Sequence, residues 1–126
     1  MPTLDTQVVL DTADRLVAAF AATDTAAYFG CFAEDASFVF HTEPSRLDDR
    51  AAYEGLWSSW LDEGWRVESC ESTDRLVQIL GEVAVFSHSV RTVTTAGETL
   101  ERETIVFAQR GDSLLAVHEH LSPQEA

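Results

Sequence analysis

The first half of the chain carries apolar residues at the spacing of amphipathic helices, every three or four positions. This pattern predicts a first helix over residues 8–20, a short second helix ending near Phe32, and a third helix over residues 48–61. Polar residues precede each apolar run and can cap its start, and Gly64 is placed to end the third helix.

The second half alternates apolar and polar residues, which indicates strands with one buried face. Glycine-containing turns divide it into four segments, and a shorter strand precedes the third helix. The predicted strands are residues 36–41, 65–80, 83–95, 99–109 and 113–121.

Helices followed by an antiparallel meander are the order of an α+β protein. We expect the long sheet to curve into a cone, with the N-terminal helices closing its concave face around an internal pocket. The convex face then needs a cover, for which a second copy of the chain is a common solution. The sequence therefore predicts one domain over residues 1–126 that forms a homodimer.

The net charge of the chain limits the classes of partner that it could bind. The formal net charge is −14, with 22 acidic residues against 8 arginines and no lysine. Such a surface repels nucleic-acid backbones and anionic lipid headgroups, so we expect neither nucleic acid nor a membrane as a partner. Without a recognisable signal peptide or an apolar run of spanning length, we expect a cytoplasmic protein.

Several segments carry a family resemblance. The runs RLVAAFAATD at 15–24 and YFGCFAEDA at 28–36 resemble the opening of SnoaL-like and ketosteroid-isomerase-like proteins. The run VHEHLS at 117–122 resembles the closing strand of the branch that includes the association domain of calcium/calmodulin-dependent protein kinase II. The runs GLWS at 55–58 and VR at 90–91 also resemble that branch.

The resemblance implies a nuclear transport factor 2-like, cystatin-like cone, a fold that hosts many unrelated activities. Leu16 and Phe40 stand where ketosteroid isomerase has its tyrosine donor and aspartate base, so isomerisation by that mechanism is rejected. Of the basic pocket residues of the kinase association domain, the chain keeps only Arg91. The other positions hold Asp49, Ser59, Ile105 and Leu121.

Arg91 and Glu103 form the leading candidate site. Their strands should be neighbours, and Ser89 shares a face with Arg91. If both faces look into the cone, a carboxylate beside an arginine is a candidate base or ligand anchor. A cross-strand ion pair on a solvated face is the competing interpretation. His41, at the end of the first strand, is a third catalytic candidate. It lies one residue beyond Phe40, the position of the isomerase base, and on a strand that step turns the side chain to the opposite face.

Aromatic residues are the candidate walls of the pocket. Phe40, Tyr53, Trp57 and Trp60 could stack against a small apolar or aromatic ligand, and core packing is the alternative for each.

Histidines offer no clear metal site. His118 and His120 lie two apart on a predicted strand and share a face, but no third ligand is evident at suitable spacing. If Leu121 faces the pocket, Glu119 and Val117 do as well, and both histidines face away. We expect no metal and no cofactor.

These observations favour a small-molecule binding protein or an enzyme of the SnoaL-like type that uses an internal pocket, with the reaction unspecified. The alternative is a non-catalytic association module, which would have a filled cavity. Hydrolase or cyclase chemistry remains a third hypothesis.

Overall fold

The structure, a computed structural model, describes residues 4–125. Its N-terminal half contains three helices: α1 (Thr6–Ala21), α2 (Thr25–Phe29) and α3 (Arg50–Asp62). In each, an aspartate just before the first turn accepts a hydrogen bond from the main-chain N–H three residues on, which satisfies a donor that the helix leaves free. These caps are Asp5, Asp24 and Asp49.

Five strands make one sheet: β1 (Phe32–Phe40), β2 (Val67–Leu80), β3 (Val83–Thr94), β4 (Gly97–Arg110) and β5 (Ser113–Pro123). Their order across the sheet is β1-β5-β4-β3-β2. The β2–β5 meander is antiparallel, whereas β1 joins its edge in parallel with β5. Helix α3 and strands β2–β4 separate β1 from β5, a connection long enough for parallel pairing. The α+β class is confirmed, with a sheet of mixed direction.

One irregularity in β5 decides which side chains face the helices. Phe107 pairs with Ala116 and Val106 pairs with His118, so Val117 is an extra residue in the ladder. Such a bulge interrupts the alternation of faces. Ala116 and Glu119, three positions apart, are therefore both buried on the helix side.

The helices cover one face of this sheet. α1 lies against β2, and α3 lies against β1. The core includes an aromatic cluster in which the Tyr28 and Trp57 rings stack with centroids 5.0 Å apart. Phe86, Ile105 and Phe107 complete the core from the sheet side, each fully buried. This packing fixes the helices over one end of the concave face.

The predicted elements agree with the structure apart from their ends. β1 begins at Phe32, earlier than the predicted strand over 36–41, because pairing with β5 starts there. Gly81 and Gly111 have positive φ values of 69° and 63° at two hairpin turns, which suits residues without a Cβ. Within residues 4–125, no helix is both long and apolar enough to cross a bilayer.

Candidate functional site

Between the helices and the sheet lies a cavity of about 700 Å³. Its edge includes exposed residues such as Glu63 and Thr95, which mark the side open to solvent. Six aromatic side chains from all three helices, β1 and the segment before β2 form much of its wall. They are Phe20, Tyr28, Phe40, Tyr53, Trp60 and Trp65.

The sheet side of the cavity is polar. Along β3 and β4, the inward-facing residues change from apolar to ionisable at the same level of the sheet, where His88 lies opposite Glu103. On β5, Glu119 lies opposite Ile105, one inward-facing position nearer the core. Glu101 and Glu103 precede Ile105 on β4, and Glu119 lies on β5. We call these three glutamates the acidic floor.

His88 holds one carboxylate of the acidic floor in place. It lies directly opposite Glu103 in the β3–β4 ladder, and its Nε2 is 2.8 Å from Glu103 Oε1. Its Nδ1 is 2.5 Å from Ser72 Oγ. Because both ring nitrogens are engaged and the side chain is fully buried, His88 is a positioning residue for Glu103.

Glu103 and Glu119 form a carboxyl pair with opposed pKa shifts. Burial, followed by the charge of Glu103 and a hydrogen bond to it, raises the pKa of Glu119 well above its usual range. Burial would also raise the pKa of Glu103, but hydrogen bonds from Glu119 and His88 outweigh it and lower that pKa. One proton is therefore held by the pair, on Glu119, with Glu103 ionised.

Glu101 is anchored from the rim of the cavity. His41 Nε2 is 2.5 Å from Glu101 Oε2, and the Thr99 hydroxyl donates to Glu101 Oε1 at 3.1 Å. The His41 side chain is 30% exposed and that of Glu101 is 10% exposed. The pair therefore connects the interior carboxylate to solvent.

Two tyrosines face the acidic floor from the helices. The hydroxyls of Tyr28 and Tyr53 are 2.9 Å apart in a buried hydrogen bond. Burial, followed by the negative charge of Glu119, raises the pKa of Tyr28 and of Tyr53 well above the usual value. Both therefore stay protonated at neutral pH, and one hydroxyl proton of the pair remains available to a bound molecule.

Cys70 is the cavity's thiol, and it is poorly suited to nucleophilic chemistry. Burial raises its pKa to about 11, although the hydrogen bond from Thr92 works in the other direction. A thiol with so high a pKa is almost entirely protonated at neutral pH. Among residues 4–125, no three His, Cys, Asp or Glu side chains are arranged to hold a metal ion.

Arg91 does not face the cavity, contrary to expectation. It lies opposite Leu100 on the outer face of the sheet, half-exposed, and its guanidinium pairs with Glu98. Ser89 shares that outer face and does not line the cavity either. The physical reason is the strand parity: Phe86 is buried in the core, so His88 and Val90 point inward and the residues between them point outward.

The other predicted site residues divide between the cavity and the core. Glu103, Phe40, Tyr53 and Trp60 line the cavity, and their roles toward a ligand stay predictions. Trp57 is 1% exposed within the core, where its Nε1 donates to Thr25 Oγ1 at 2.9 Å. It therefore packs the fold and does not line the cavity.

His41 reaches the site indirectly, through Glu101. His118 and His120 are absent from the cavity lining, and His118 Nδ1 instead lies 2.8 Å from Ser37 Oγ. Burial, followed by the nearby His120, lowers the pKa of His118. Val117, expected to share the face of Glu119, is the bulged residue and does not line the cavity.

Sequence reasoning missed His88, Glu101 and Glu119 as functional candidates. The signal for His88 was its position two residues after Phe86, the largest side chain on its strand. Glu101 lies two residues from Glu103, and Glu119 lies two residues from Leu121. Each glutamate therefore shares a strand face with a residue already expected to face the pocket. The hydrogen bond between two carboxyl groups on different strands has no signature in the sequence.

Comparison with known proteins agrees with this architecture. The model of the SnoaL-like domain matches residues 9–125, and the chain belongs to that family. No curated protein matches the chain by sequence.

Solved structures show the same fold at low sequence identity. A nuclear transport factor 2-like protein from Cytophaga hutchinsonii has a TM-score of 0.83 and 13% identity, over 96% of this chain and 100% of the other. A putative dehydratase of that family from Streptomyces avermitilis has a TM-score of 0.79 and 17% identity, over 97% and 98%.

A putative calcium/calmodulin-dependent protein kinase II association domain from Xanthomonas campestris has a TM-score of 0.76 and 18% identity, over 96% of this chain and 89% of the other. These likenesses confirm the nuclear transport factor 2-like fold, including the resemblance to the association-domain branch.

Proposed function

We propose that this chain is an acid–base enzyme that removes water from a small hydroxylated molecule held in the cavity. The observation that carries the proposal is the geometry of the acidic floor, where Glu103, hydrogen-bonded to His88, and the buried Glu119 line one cavity. The lowered pKa of Glu103 and the raised pKa of Glu119 favour an ionised base beside a protonated acid. Such a pair presents a base and an acid side by side, which is what a proton-transfer reaction requires.

Dehydration uses both members of the pair. Glu103 takes a proton from a carbon next to a carbonyl group, and the electrons of that C–H bond form a C=C bond as the C–O bond breaks. The departing hydroxide takes the proton of Glu119 and leaves as water. The proton then moves from Glu103 back to Glu119 across their hydrogen bond, which restores the starting state without an oxidant or a reductant.

The surrounding residues support this chemistry. His88 keeps Glu103 in a fixed orientation, and the buried tyrosine pair offers an O–H donor to negative charge developing on a carbonyl oxygen. The aromatic wall lines the cavity beside the acidic floor and provides apolar surface for a ring. The similarity to the Streptomyces avermitilis protein, itself a putative dehydratase, favours the same reaction class.

Two assays separate the base from the acid. Exchange of the α-hydrogens of 2-tetralone in D₂O, followed by NMR, needs only the base. Conversion of cyclic β-hydroxy ketones to conjugated enones, followed by ultraviolet absorbance, needs both groups. We expect Glu103→Gln to lower both rates by about 10²-fold or more, and Glu119→Gln to lower only the second to that extent.

Glu98→Gln, on the outer sheet face, is the matched control and should leave both rates unchanged. Wild-type rates equal to those of both interior variants in both assays would contradict the proposal.

An association module without catalysis is the weaker alternative. It requires a filled interior, whereas the cavity measures about 700 Å³. The fold and the similarity to the Xanthomonas campestris association domain do not themselves supply a role for the acidic floor.

We also propose that the outer sheet face pairs with a second copy of the chain. The outward-facing residues include Val83, Val85 and Val106, and Leu80 beside them is 65% exposed. An apolar sheet face of this kind is typical of a subunit interface. Light scattering should give a dimer for wild type and a monomer for Val106→Glu; a wild-type monomer would contradict this.

A further inference from the structure

The charge of the residues that line the cavity determines which ligands it favours. Five glutamates line it: Glu43, Glu63 and the three of the acidic floor. Neither arginine nor lysine is among the described lining residues, and His88 is the one histidine there. With a net charge of −14 on the chain, the field at the opening draws cations inward and repels anions.

Glu119 has an unmet hydrogen-bonding requirement. The residue is 3% exposed, lines the cavity, and its Oε2 atom accepts no hydrogen bond from residues 4–125. A buried oxygen of this kind is costly unless a donor reaches it. A bound molecule with an N–H or O–H group would supply that donor.

The aromatic side chains favour a positive donor over a neutral one. Tyr53, Phe40 and Trp60 line the same cavity as the acidic floor, with the Tyr53 ring 5.0 Å from that of Phe40 and 6.3 Å from that of Trp60. The faces of aromatic rings attract cations, most strongly where water is excluded. Carboxylates on one side and rings on the other are the surroundings that an organic ammonium group prefers.

We infer that the cavity takes a substrate in which a protonated amine is attached to an apolar or aromatic body, with the ammonium group against the acidic floor. This inference rests on the proposed function for the role of the site and adds the charge of its substrate. Carboxylates and phosphate esters of similar size are excluded by the same charge.

A bound ammonium also changes the proton held by the carboxyl pair. The groups that face Glu119 are Glu101 and Glu103 on β4, Cys70 on β2, His88 on β3, and the hydroxyls of Tyr28 and Tyr53 from the helices, with His41 acting through Glu101. Among the carboxylates, a new positive charge favours ionisation of Glu119. The loaded site therefore has a stronger acid, and binding releases part of a proton.

Three probes with one aromatic body test the inference on the wild-type protein. They are 2-phenylethylammonium, 2-phenylethanol and phenylacetate, titrated calorimetrically at pH 7 with a chelator present so that no divalent cation competes. We expect the ammonium to bind at least about tenfold more tightly than the alcohol, and phenylacetate not to bind. Equal or tighter binding of the alcohol, or any binding of phenylacetate, would overturn the inference.

Proton release gives a second measurement. The binding enthalpy of the ammonium should depend on the ionisation enthalpy of the buffer for wild type and for Glu98→Gln. This dependence should disappear for Glu119→Gln, which keeps the shape of the side chain but has no acid proton. A buffer-independent enthalpy in wild type would overturn the proton linkage and the placement of the ammonium beside Glu119.

These outcomes are separate from those of the proposed function. Tight ammonium binding without α-hydrogen exchange or dehydration would leave the inference standing and remove the enzyme. Exchange that depends on Glu103, together with tighter binding of the alcohol, would leave the enzyme standing and remove the charged substrate.

Discussion

The two ends of the concave sheet face use the same two strands, β3 and β4, for opposite purposes. At the closed end, Phe86, Ile105 and Phe107 are fully buried and pack against other core residues. At the open end, His88, two residues after Phe86, and Glu103, two residues before Ile105, border a cavity. Apolar burial stabilises the closed end, whereas the open end keeps charged groups that burial penalises. The comparison shows that the closed end stabilises the fold, whereas the open end lowers its stability in order to keep charged groups in the cavity.

The largest expected effect is at the closed end. Phe107→Ala removes a fully buried ring and leaves a void that its neighbours cannot fill, so we expect the free energy of unfolding to fall by about 3–5 kcal/mol. The matched change Phe20→Ala, in a half-buried ring that already borders the cavity, should cost less than about 2 kcal/mol. Urea denaturation of both variants measures this, and equal losses would break the comparison.

The next effect concerns the histidine that supports Glu103. His88→Leu leaves an interior carboxylate without one of its donors, and we expect a loss of about 2–3 kcal/mol in unfolding free energy. His118→Leu is the matched control on the outer face, where the ring's hydrogen bond within residues 4–125 is to the neutral Ser37 hydroxyl; it should cost less than about 1 kcal/mol. A larger loss for His118→Leu would reverse the assignment.

A pH series isolates the protonated carboxyl. The raised pKa of Glu119 means that the folded chain keeps a proton which the unfolded chain releases above about pH 4.3. Stability from this group is complete below that pH and is lost as pH rises toward the folded pKa, by at most about 1.4 kcal/mol per pH unit. Glu103, whose pKa is lowered, loses its contribution only in the acid range.

Urea midpoints at pH 5, 6, 7 and 8 should therefore fall more steeply for wild type than for Glu119→Gln. Parallel curves for the two proteins would mean that Glu119 is not protonated in the folded state.

The smallest expected effect is on the outer face. Arg91→Ala removes an ion pair in which both side chains are about half-exposed, and we expect a change below about 0.5 kcal/mol in unfolding free energy. Exchange and dehydration rates should also stay at the wild-type level. A substantial fall in either rate would return Arg91 to the candidate site and contradict the strand parity described above.

The sequence was informative about elements and less so about faces. Helical spacing and glycine-containing turns predicted the helices and the meander because both signals are local. On β3, both alternating sets contain apolar residues, so parity alone could not choose between them. The prediction that Arg91 faces the cavity placed the wrong alternating set of β3 residues inward. Phe86, a large apolar residue of the other set, indicates the inward face correctly.

The candidate site depended on long-range register, which explains why it was only partly predicted. Glu103 could be placed inward because Ile105 shares its face. Its hydrogen bonds with His88 and Glu119 join three strands and require the pairing of all of them. A bulge at Val117 shifts the alternation of inward-facing and outward-facing side chains by one residue, and no local feature of the sequence predicts this bulge.

Because of the bulged residue Val117, the presence of one residue in β5 determines which side chains of that strand face the cavity. If β5 paired without the bulge, continuing regularly from Ala116, then Val117 would face outward, His118 and His120 would face inward, and Glu119 would move to the outside. Imidazole groups would then replace the one carboxylate that β5 contributes, beside Glu101 and Glu103 of β4, with no substitution in the strand. Insertions and deletions near Val117 are therefore a short route by which related cones could exchange one reactive group for another.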